Sequence, residues 1–220
     1  MLRVGLTGSI AVGKSYVSSE LRAANCPVLD ADETARAVVL PGTPGLAAVV
    51  AAFGASVLRA DGMLDRARLG ALVFGDDAAR VRLNAILHPL IFAAQDEWLR
   101  GREAKDTCEV AVVDAALLIE SGGYRRFDKL IVVHCAPEVQ LERLMKRDGL
   151  KHAEAVRRIA AQMPQSEKVH YADYLIDTTD GFDVARQQTL AVYAQLKELA
   201  EGISAGKARA AIEGDDVATT

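Results

Sequence analysis

The feature that most constrains this chain is the octapeptide GSIAVGKS at residues 8–15, a complete G-x-x-x-x-G-K-S phosphate loop. It follows a short β-rich run, residues 2–7, and precedes a plausible helix over residues 14–24. This strand–loop–helix setting is the context that the motif requires. A glycine-rich turn that binds nothing would need neither Lys14 nor Ser15. The loop therefore predicts a binding site for a nucleoside triphosphate.

Each residue type in the loop has a chemical reason to be there. Gly8 and Gly13 let the backbone curl so that successive N–H groups converge on phosphate oxygens at the positive end of the following helix. Lys14 supplies a mobile charge for the β- and γ-phosphates, and the Ser15 hydroxyl can ligate Mg²⁺. The residues of this region predicted to bind the nucleotide are Gly8, Ala11, Val12, Gly13, Lys14, Ser15 and Tyr16.

Composition restricts the remaining possibilities. The 220 residues suit one large α/β domain, or a domain with an insertion, and half of them are apolar. A net charge of −4 disfavours a nucleic-acid-binding surface, which is usually basic. No apolar run approaches the length of a membrane span, and the N-terminus lacks the layout of a signal peptide. We therefore expect a cytoplasmic protein with no membrane, nucleic acid or obligate protein partner.

Five short apolar runs alternate with longer helical stretches, at residues 3–7, 27–29, 109–113, 129–135 and 174–177. Because these runs are continuously apolar rather than alternating, they predict a five-stranded parallel sheet covered on both faces, a three-layer α/β fold. Ligands of such sheets bind beyond the carboxyl ends of the strands. Carboxylates follow three of the five runs, which places candidate site residues at that edge.

The predicted domain organisation follows from the long connection between the second and third strands. Residues 32–106 are mostly of helical pattern, and we interpret them as an acceptor-binding insertion over the carboxyl edge of the sheet. Residues 1–31 and 107–201 form the nucleotide-binding core, with a short lid at about residues 140–168. The last helix is predicted near residues 182–201, and residues 202–220 are predicted to be a mobile tail.

Phosphoryl transfer also needs a base for the acceptor hydroxyl. Asp32 lies just after the second strand, where a carboxylate can accept the proton of an alcohol. Either Asp30 or Asp32 could instead only cap the next helix, and for Asp30 capping is as good an interpretation as function. Arg36 comes four residues after Asp32, so the two could share one helical face and meet the same ligand.

A metal ligand and further cations are also available. Asp114 ends the apolar run that begins at Val110, a pattern that helps to hold Mg²⁺ in nucleotide sites but is common in buried strands. Arg143 and Arg147 stand at i and i+4, and residues 157–158 add two arginines. These arginines either form a lid that closes over the phosphates or a solvated basic face.

Taken together, these motifs resemble the dephospho-coenzyme A kinase family over residues 2–181. The matching segments are residues 5–15, Asp30 and Asp32 with residues 35–36, residues 61–66, 72–74, 83–91, 117–120, 140–144, 147–148 and 162–164. A phosphate loop alone is common to many kinases and GTPases. The acidic pair, the Leu-His-Pro element at residues 87–89 and the lid segment make the resemblance specific to one family.

The resemblance implies the transfer of the ATP γ-phosphoryl group, with Mg²⁺, to the ribose 3′-hydroxyl of dephospho-coenzyme A. Asp32 matches the catalytic base of the family, and His88 and Glu120 match positions near the acceptor pocket. The expected catalytic residues are Asp32, Lys14 and Arg147. The expected acceptor-binding residues are Asp32, Arg36, His88 and Glu120. Arg143 joins the residues expected to bind ATP, and the expected metal ligands are Ser15 and Asp114.

The chain departs from the family pattern in three places. Ser9, Ala11 and Val12 stand where the family commonly has Gly and Gly-Ser, and residues 115–116 lack the usual proline. After the last strand, residues 177–180 read Asp-Thr-Thr-Asp in place of a turn of Asp-Asn type.

Two other functions remain as alternatives. A nucleoside monophosphate kinase, or another small-molecule kinase, of the same fold would share the loop and the lid. A GTPase-like switch would specify guanine through an Asn-Lys-x-Asp element, which this sequence lacks.

Overall fold

The computed structural model describes residues 1–105 and 108–215, and the side chains of the last helix up to residue 206. Contacts divide the chain into two compact units. The first comprises Met1–Val28 and Arg102–Thr220, and the second comprises Leu29–Gly101. The expected boundary at residues 106–107 lies outside the described residues.

A five-stranded sheet organises the fold. The strands are β1 (Leu2–Gly8), β2 (Val28–Asp30), β3 (Val110–Asp114), β4 (Lys129–His134) and β5 (Tyr174–Asp177), in the order β2-β3-β1-β4-β5. β1 pairs in parallel with β3 and β4, and β4 pairs in parallel with β5. The predicted five-stranded parallel sheet is therefore confirmed. Every predicted run lies within two residues of a strand at each end.

The register of the sheet brings the phosphate loop and a carboxylate to the same edge. Leu6 pairs with Asp114, so β3 ends where β1 enters the loop. β3 is buried along its length and β1 is buried except at Arg3, and Val4 and Leu6 have no exposed surface. The core of this unit joins β1, β3 and β4 to α1 (Lys14–Ala23) and to α9 (Phe182–Asp215).

The remaining helices of the first unit follow β4. They are α6 (Pro137–Asp148), α7 (His152–Ala160) and α8 (Gln165–Lys168). Helix α6 begins with a proline, whose missing N–H would have no helical partner there, and Gly149 at φ 67° follows its last turn.

Helix α9 is longer than the sequence predicts: it continues to Asp215, whereas the predicted end is near Glu201. Residues 202–215 contain four alanines together with Lys and Arg, which favour a helix more strongly than their small size suggested. Residues 216–220 of the predicted tail lie outside the described residues, and mobility of this segment stays a prediction.

The second unit is helical, with its own apolar core. Its helices are α2 (Ala31–Ala37), α3 (Pro44–Phe53), α4 (Arg66–Val73) and most of α5 (Asp77–Glu103). Side-chain caps begin these helices. For example, Thr43 accepts a hydrogen bond from the N–H of Leu46 at the start of α3, and Asp65 accepts one from the N–H of Arg68 at the start of α4. The buried residues that join these helices are Val39, Leu46, Val49, Val57, Leu64 and Leu69.

Along the described part of the chain, none of the helices combines the length and the apolar character that a bilayer crossing needs.

Candidate active site

The two glycines of the phosphate loop are required for different reasons. Gly13 has φ 89° and precedes α1, a left-handed conformation that favours glycine. Gly8 has no such angle, but a Cβ there would lie 2.7 Å from the carbonyl oxygen of Val133 and 2.9 Å from Val12 Cγ2. Gly13 therefore shapes the turn, whereas Gly8 lets β4 approach the loop.

Two of the departures from the family pattern have structural consequences in this loop. Ala11 has φ 61°, where a residue with a Cβ is strained by roughly 1 kcal/mol or more. Ser9 is 5% exposed, and among the described side chains its Oγ is a buried polar atom without a hydrogen-bond partner. Glycine, which the family commonly has at both positions, would avoid the strain and the unpaired hydroxyl.

The lysine of the loop, which is predicted to be catalytic, contacts the carboxylate at the end of β3. Lys14 Nζ, on α1, donates to Asp114 Oδ1, and Ser18 Oγ donates to Asp114 Oδ2. An ammonium has three N–H donors, so Lys14 can hold Asp114 and still contact phosphate oxygens. Sequence reasoning missed Ser18, although its i+4 spacing from Lys14 places both side chains on one face of α1.

Glutamine side chains connect the loop to the segment predicted as a lid. Gln162 Oε1 accepts from the N–H of Ile10 at 2.7 Å, and Gln140 Nε2 donates to the carbonyl of Ile10 at 2.8 Å. Gln165 Nε2 donates to Gln140 Oε1 at 2.7 Å, and its Oε1 accepts from the N–H of Cys135 at 3.0 Å. The base of this segment is thus anchored to both peptide groups of Ile10.

Arg143 lies beside the loop with several predicted nucleotide-binding residues. Its Nη1 and Nη2 donate to Thr178 Oγ1 and to the Thr178 carbonyl, both at 2.7 Å. The guanidinium carbon is 5.0 Å from the centroid of the Phe182 ring, which stacks on Tyr16 at 4.5 Å. Thr178 Oγ1 also donates to the carbonyl of Val12 at 2.7 Å. The structure therefore brings Val12, Tyr16 and Arg143 together.

Arg147 has a different environment from Arg143, although both are on α6. Its side chain is 56% exposed, and Nε donates to Asp148 Oδ1 at 2.7 Å. Arg158 Nη1 donates to the other oxygen of Asp148 at 3.2 Å. The hydrogen bond from Arg147 lowers the pKa of Asp148, and the charge of Arg158 adds to this effect. The catalytic role of Arg147 stays a prediction.

The residues expected to act on the acceptor belong mostly to the second unit. Asp30 accepts hydrogen bonds from the N–H of Asp32 at 2.7 Å and from that of the next residue at 3.2 Å, so it caps α2. Asp32 and Arg36 are exposed on α2, and His88 is half-buried on α5. The capping interpretation of Asp30 is confirmed, and the roles of the other three stay predictions.

Glu120 belongs to the first unit and pairs with a lysine that sequence reasoning missed. Lys168 is completely buried, and its Nζ lies 2.8 Å from Glu120 Oε1 and 3.2 Å from the carbonyl oxygen of Ala116. Thr7 Oγ1 donates to the same carbonyl at 3.1 Å. These bonds attach the loop after β3 to β1 and to α8, which fixes the position of Glu120.

The comparisons with known proteins agree on one family. The family model for dephospho-CoA kinase matches residues 2–183. The chain belongs to the dephospho-CoA kinase family. It is 44% identical over 196 residues to dephospho-CoA kinase of Geobacillus kaustophilus, covering 88% of this chain and 96% of that protein. It is also 50% identical over 174 residues to that of Anaeromyxobacter dehalogenans, covering 79% and 82%.

Solved structures extend this agreement to the backbone. Dephospho-CoA kinase from Campylobacter jejuni has a TM-score of 0.68 at 27% identity, and the match covers 89% of this chain and 97% of that one. A crystal structure from Thermus thermophilus has a TM-score of 0.75 at 31% identity, with the same coverage. The resemblance inferred from the sequence motifs is confirmed.

The residues present suit the magnesium ion that this kinase family implies. Ser15 is exposed at the start of α1, and Asp114 contributes a carboxylate from the end of β3. Both are oxygen donors, which Mg²⁺ prefers. Each oxygen of Asp114 already accepts one hydrogen bond, from Lys14 or from Ser18, and keeps a second lone pair. Asp114 can therefore hold the ion directly or through a bound water.

Proposed function

We propose that this protein transfers the γ-phosphoryl group of ATP to the ribose 3′-hydroxyl of dephospho-CoA, giving CoA and ADP. The observation that carries the proposal is the arrangement of Lys14, Asp114 and Ser18 at a phosphate loop in a chain of the dephospho-CoA kinase family. The proposed substrates are two small molecules, and the reaction needs no nucleic acid, membrane or protein partner.

On the nucleotide side, the N–H groups of residues 8–15 and the start of α1 bind the phosphates. Lys14 directs its remaining N–H donors at the β- and γ-phosphates, and Arg143 binds the nucleotide beside Phe182. Ser15 and Asp114 would hold Mg²⁺, which neutralises charge that develops on the phosphate oxygens. Because these groups are in place before the reaction, they can stabilise the transition state without rearranging.

On the acceptor side, Asp32 accepts the proton of the 3′-hydroxyl, while Arg36, His88 and Glu120 bind the rest of dephospho-CoA. Asp30 already caps α2, which leaves Asp32 as the carboxylate for the acceptor. Arg147 would leave Asp148 and contact the phosphoryl group during transfer. The phosphoryl group is anionic like the carboxylate of Asp148, so the charge of Arg147 has a partner in both positions.

A panel of acceptors tests the proposal directly. ATP and Mg²⁺ are offered with dephospho-CoA, adenosine monophosphate and shikimate in parallel, and ADP and the phosphorylated product are both quantified. We expect dephospho-CoA to be phosphorylated orders of magnitude faster than the other two acceptors. Comparable turnover of adenosine monophosphate or shikimate would mean that the proposed acceptor is wrong, and release of ADP in the absence of any acceptor would indicate an ATPase.

Asp32→Asn tests the assignment of the base. We expect kcat to fall by about 10²–10⁴-fold with a small change in the acceptor KM, because the proton is transferred only in the transition state. Asp30→Asn is the matched control, and it should have a mild effect because asparagine caps helices as well as aspartate does. Steady-state kinetics of both variants decide the matter. A larger loss in Asp30→Asn would identify the other carboxylate as the base.

A further inference from the structure

Thr178 joins two parts of the nucleotide site, in the turn after β5 where the family usually has a turn of Asp-Asn type. It is completely buried. Its Oγ1 donates to the carbonyl of Val12 at 2.7 Å, the carbonyl of His134 being more distant at 3.4 Å, and accepts from Arg143 Nη1 at 2.7 Å. A hydroxyl has one donor and two acceptor sites, so both short bonds form together. Its backbone carbonyl accepts a third bond, from Arg143 Nη2 at 2.7 Å.

We propose that Thr178 is a positioning residue for the nucleotide, which it serves by holding Arg143 and the phosphate loop in one arrangement. The inference rests on the proposed ATP-dependent function. Two hydrogen bonds and the contact with the Phe182 ring at 5.0 Å fix the guanidinium of Arg143. A long side chain that is already ordered loses less conformational entropy when the ligand binds.

The contacts of Thr178 with the phosphate loop also support a positioning role. A Cβ on Gly13 would lie 3.2 Å from both Thr178 Cγ2 and Oγ1, so the threonine side chain packs directly against the left-handed turn of the loop. Without the hydroxyl, the carbonyl of Val12 and Nη1 of Arg143 would each lose a partner. Leaving buried polar groups unpaired is more costly than the net value of one hydrogen bond. The hydroxyl thus acts on both nucleotide-binding elements at once.

Threonine also offers a clean set of variants. Thr178→Val removes the hydroxyl and keeps the shape, whereas Thr178→Ser keeps the hydroxyl and removes the methyl group. Thr189→Val is the matched control, because Thr189 is completely buried too and its Oγ1 donates to the carbonyl of Ala185 at 2.7 Å within α9. Any effect of exchanging a buried threonine in general will appear in the control.

The experiment measures the Kd for ATP by calorimetry in the absence of acceptor, and then kcat and the KM of both substrates. We expect Thr178→Val to raise the Kd for ATP by about tenfold, the value of a hydrogen bond to a charged group. Thr178→Ser and Thr189→Val should bind ATP like the wild type, and the KM for dephospho-CoA should not change. If Thr178→Val fails to fold, Thr178→Ala compared with Thr178→Ser isolates the hydroxyl in its place.

A double-mutant cycle with Arg143→Ala tests the route of the effect. If Thr178 acts through Arg143, Thr178→Val should raise the Kd much less in the Arg143→Ala background, whereas independent sites would give additive losses. An unchanged Kd for ATP in Thr178→Val, or failure of serine to restore binding, would overturn the inference, as would additive losses. The Kd for ATP is measured without acceptor, so this test does not depend on the identity of the acceptor. If the variants change the Kd as expected but the protein does not phosphorylate dephospho-CoA, the proposed acceptor is wrong and the role of Thr178 stands.

Discussion

Two arginines one helical turn apart on α6 are held in opposite ways. Arg143 faces the phosphate loop, with two hydrogen bonds to Thr178 and a ring beneath it. Arg147 lies at the surface, where α6 ends, and pairs with Asp148. In the sequence the two look alike. The comparison shows that contacts at the loop are buried and shared between elements that are distant in the chain, whereas those at the end of α6 are local and solvated.

Two lysine–carboxylate ion pairs with the same N···O distance also differ in burial. Lys168 and Glu120 are 2.8 Å apart with the lysine side chain 1% exposed, while Lys129 and Asp173 are 2.8 Å apart with exposures of 34% and 36%. Water screens the second pair and can replace either partner, so it adds little to stability. The first pair cannot lose Glu120 without leaving the buried charge of Lys168 uncompensated.

The largest expected effect is that of Lys14→Ala on catalysis. Its ammonium supplies charge at the transferring phosphoryl group, so we expect kcat to fall by about 10²–10³-fold or more. Ser18→Ala is the control, since it removes the other donor to Asp114 and keeps Lys14. The measurement is steady-state turnover with saturating ATP. Near-normal turnover of Lys14→Ala would mean that the buried contacts at the loop are structural.

Lys168→Met is expected to have the largest effect on stability. Removing the lysine takes one of two donors from the carbonyl of Ala116 and the ion-pair partner from Glu120, whose side chain is 23% exposed, and this should cost about 1–3 kcal/mol of unfolding free energy. Lys129→Met breaks the exposed pair and should cost less than about 1 kcal/mol. Urea denaturation of both variants measures the difference. If both variants lost the same unfolding free energy, burial would not explain any difference between the two ion pairs.

Arg147→Ala tests the comparison of Arg143 with Arg147, because it shows whether an exposed arginine side chain contributes to catalysis. Under the proposed function Arg147 contacts the phosphoryl group during transfer, and we expect kcat to fall by about tenfold, the value of one charge-assisted hydrogen bond, with little change in either KM. Arg158→Ala removes the other arginine on Asp148 and should keep normal kinetics. Unchanged kcat in Arg147→Ala would show that this end of α6 is a solvated basic face.

The smallest effect is expected from Asp148→Asn, and it should depend on pH. The pKa of Asp148 is lowered in the folded state, first by the hydrogen bond from Arg147 and then by the charge of Arg158. Its contribution to stability is therefore present above the unfolded pKa of about 3.9 and is lost as the pH falls through the folded value. Asp148→Asn should be slightly less stable than wild type at pH 7, and the difference should be smaller at pH 2. Urea denaturation at both pH values measures this, and a difference that is undiminished in acid would have another cause.

Local signals made much of the fold predictable. Continuous apolar runs located the five strands, and the spacing of Gly8, Gly13 and Lys14 located the phosphate loop, because both depend on neighbouring residues. The capping role of Asp30 was also visible, since a helix N-cap is a contact over two or three positions. The end of α9 was misjudged because small residues after Gly202 were taken as a break, although the alanines among them favour a helix.

The amino-acid sequence by itself determined the phosphate loop, the parallel sheet and the kinase family, because each is specified by residue types at short, fixed spacings. Only the tertiary structure decided which polar side chains meet. Thr178 reaches Val12 across 166 positions, Gln162 reaches Ile10 across 152, and Lys168 reaches the carbonyl of Ala116 across 52. Polar groups that become buried when the strands assemble form hydrogen bonds with whichever polar groups lie beside them. Because those neighbours are far apart in the chain, no periodic sequence pattern predicts these pairs.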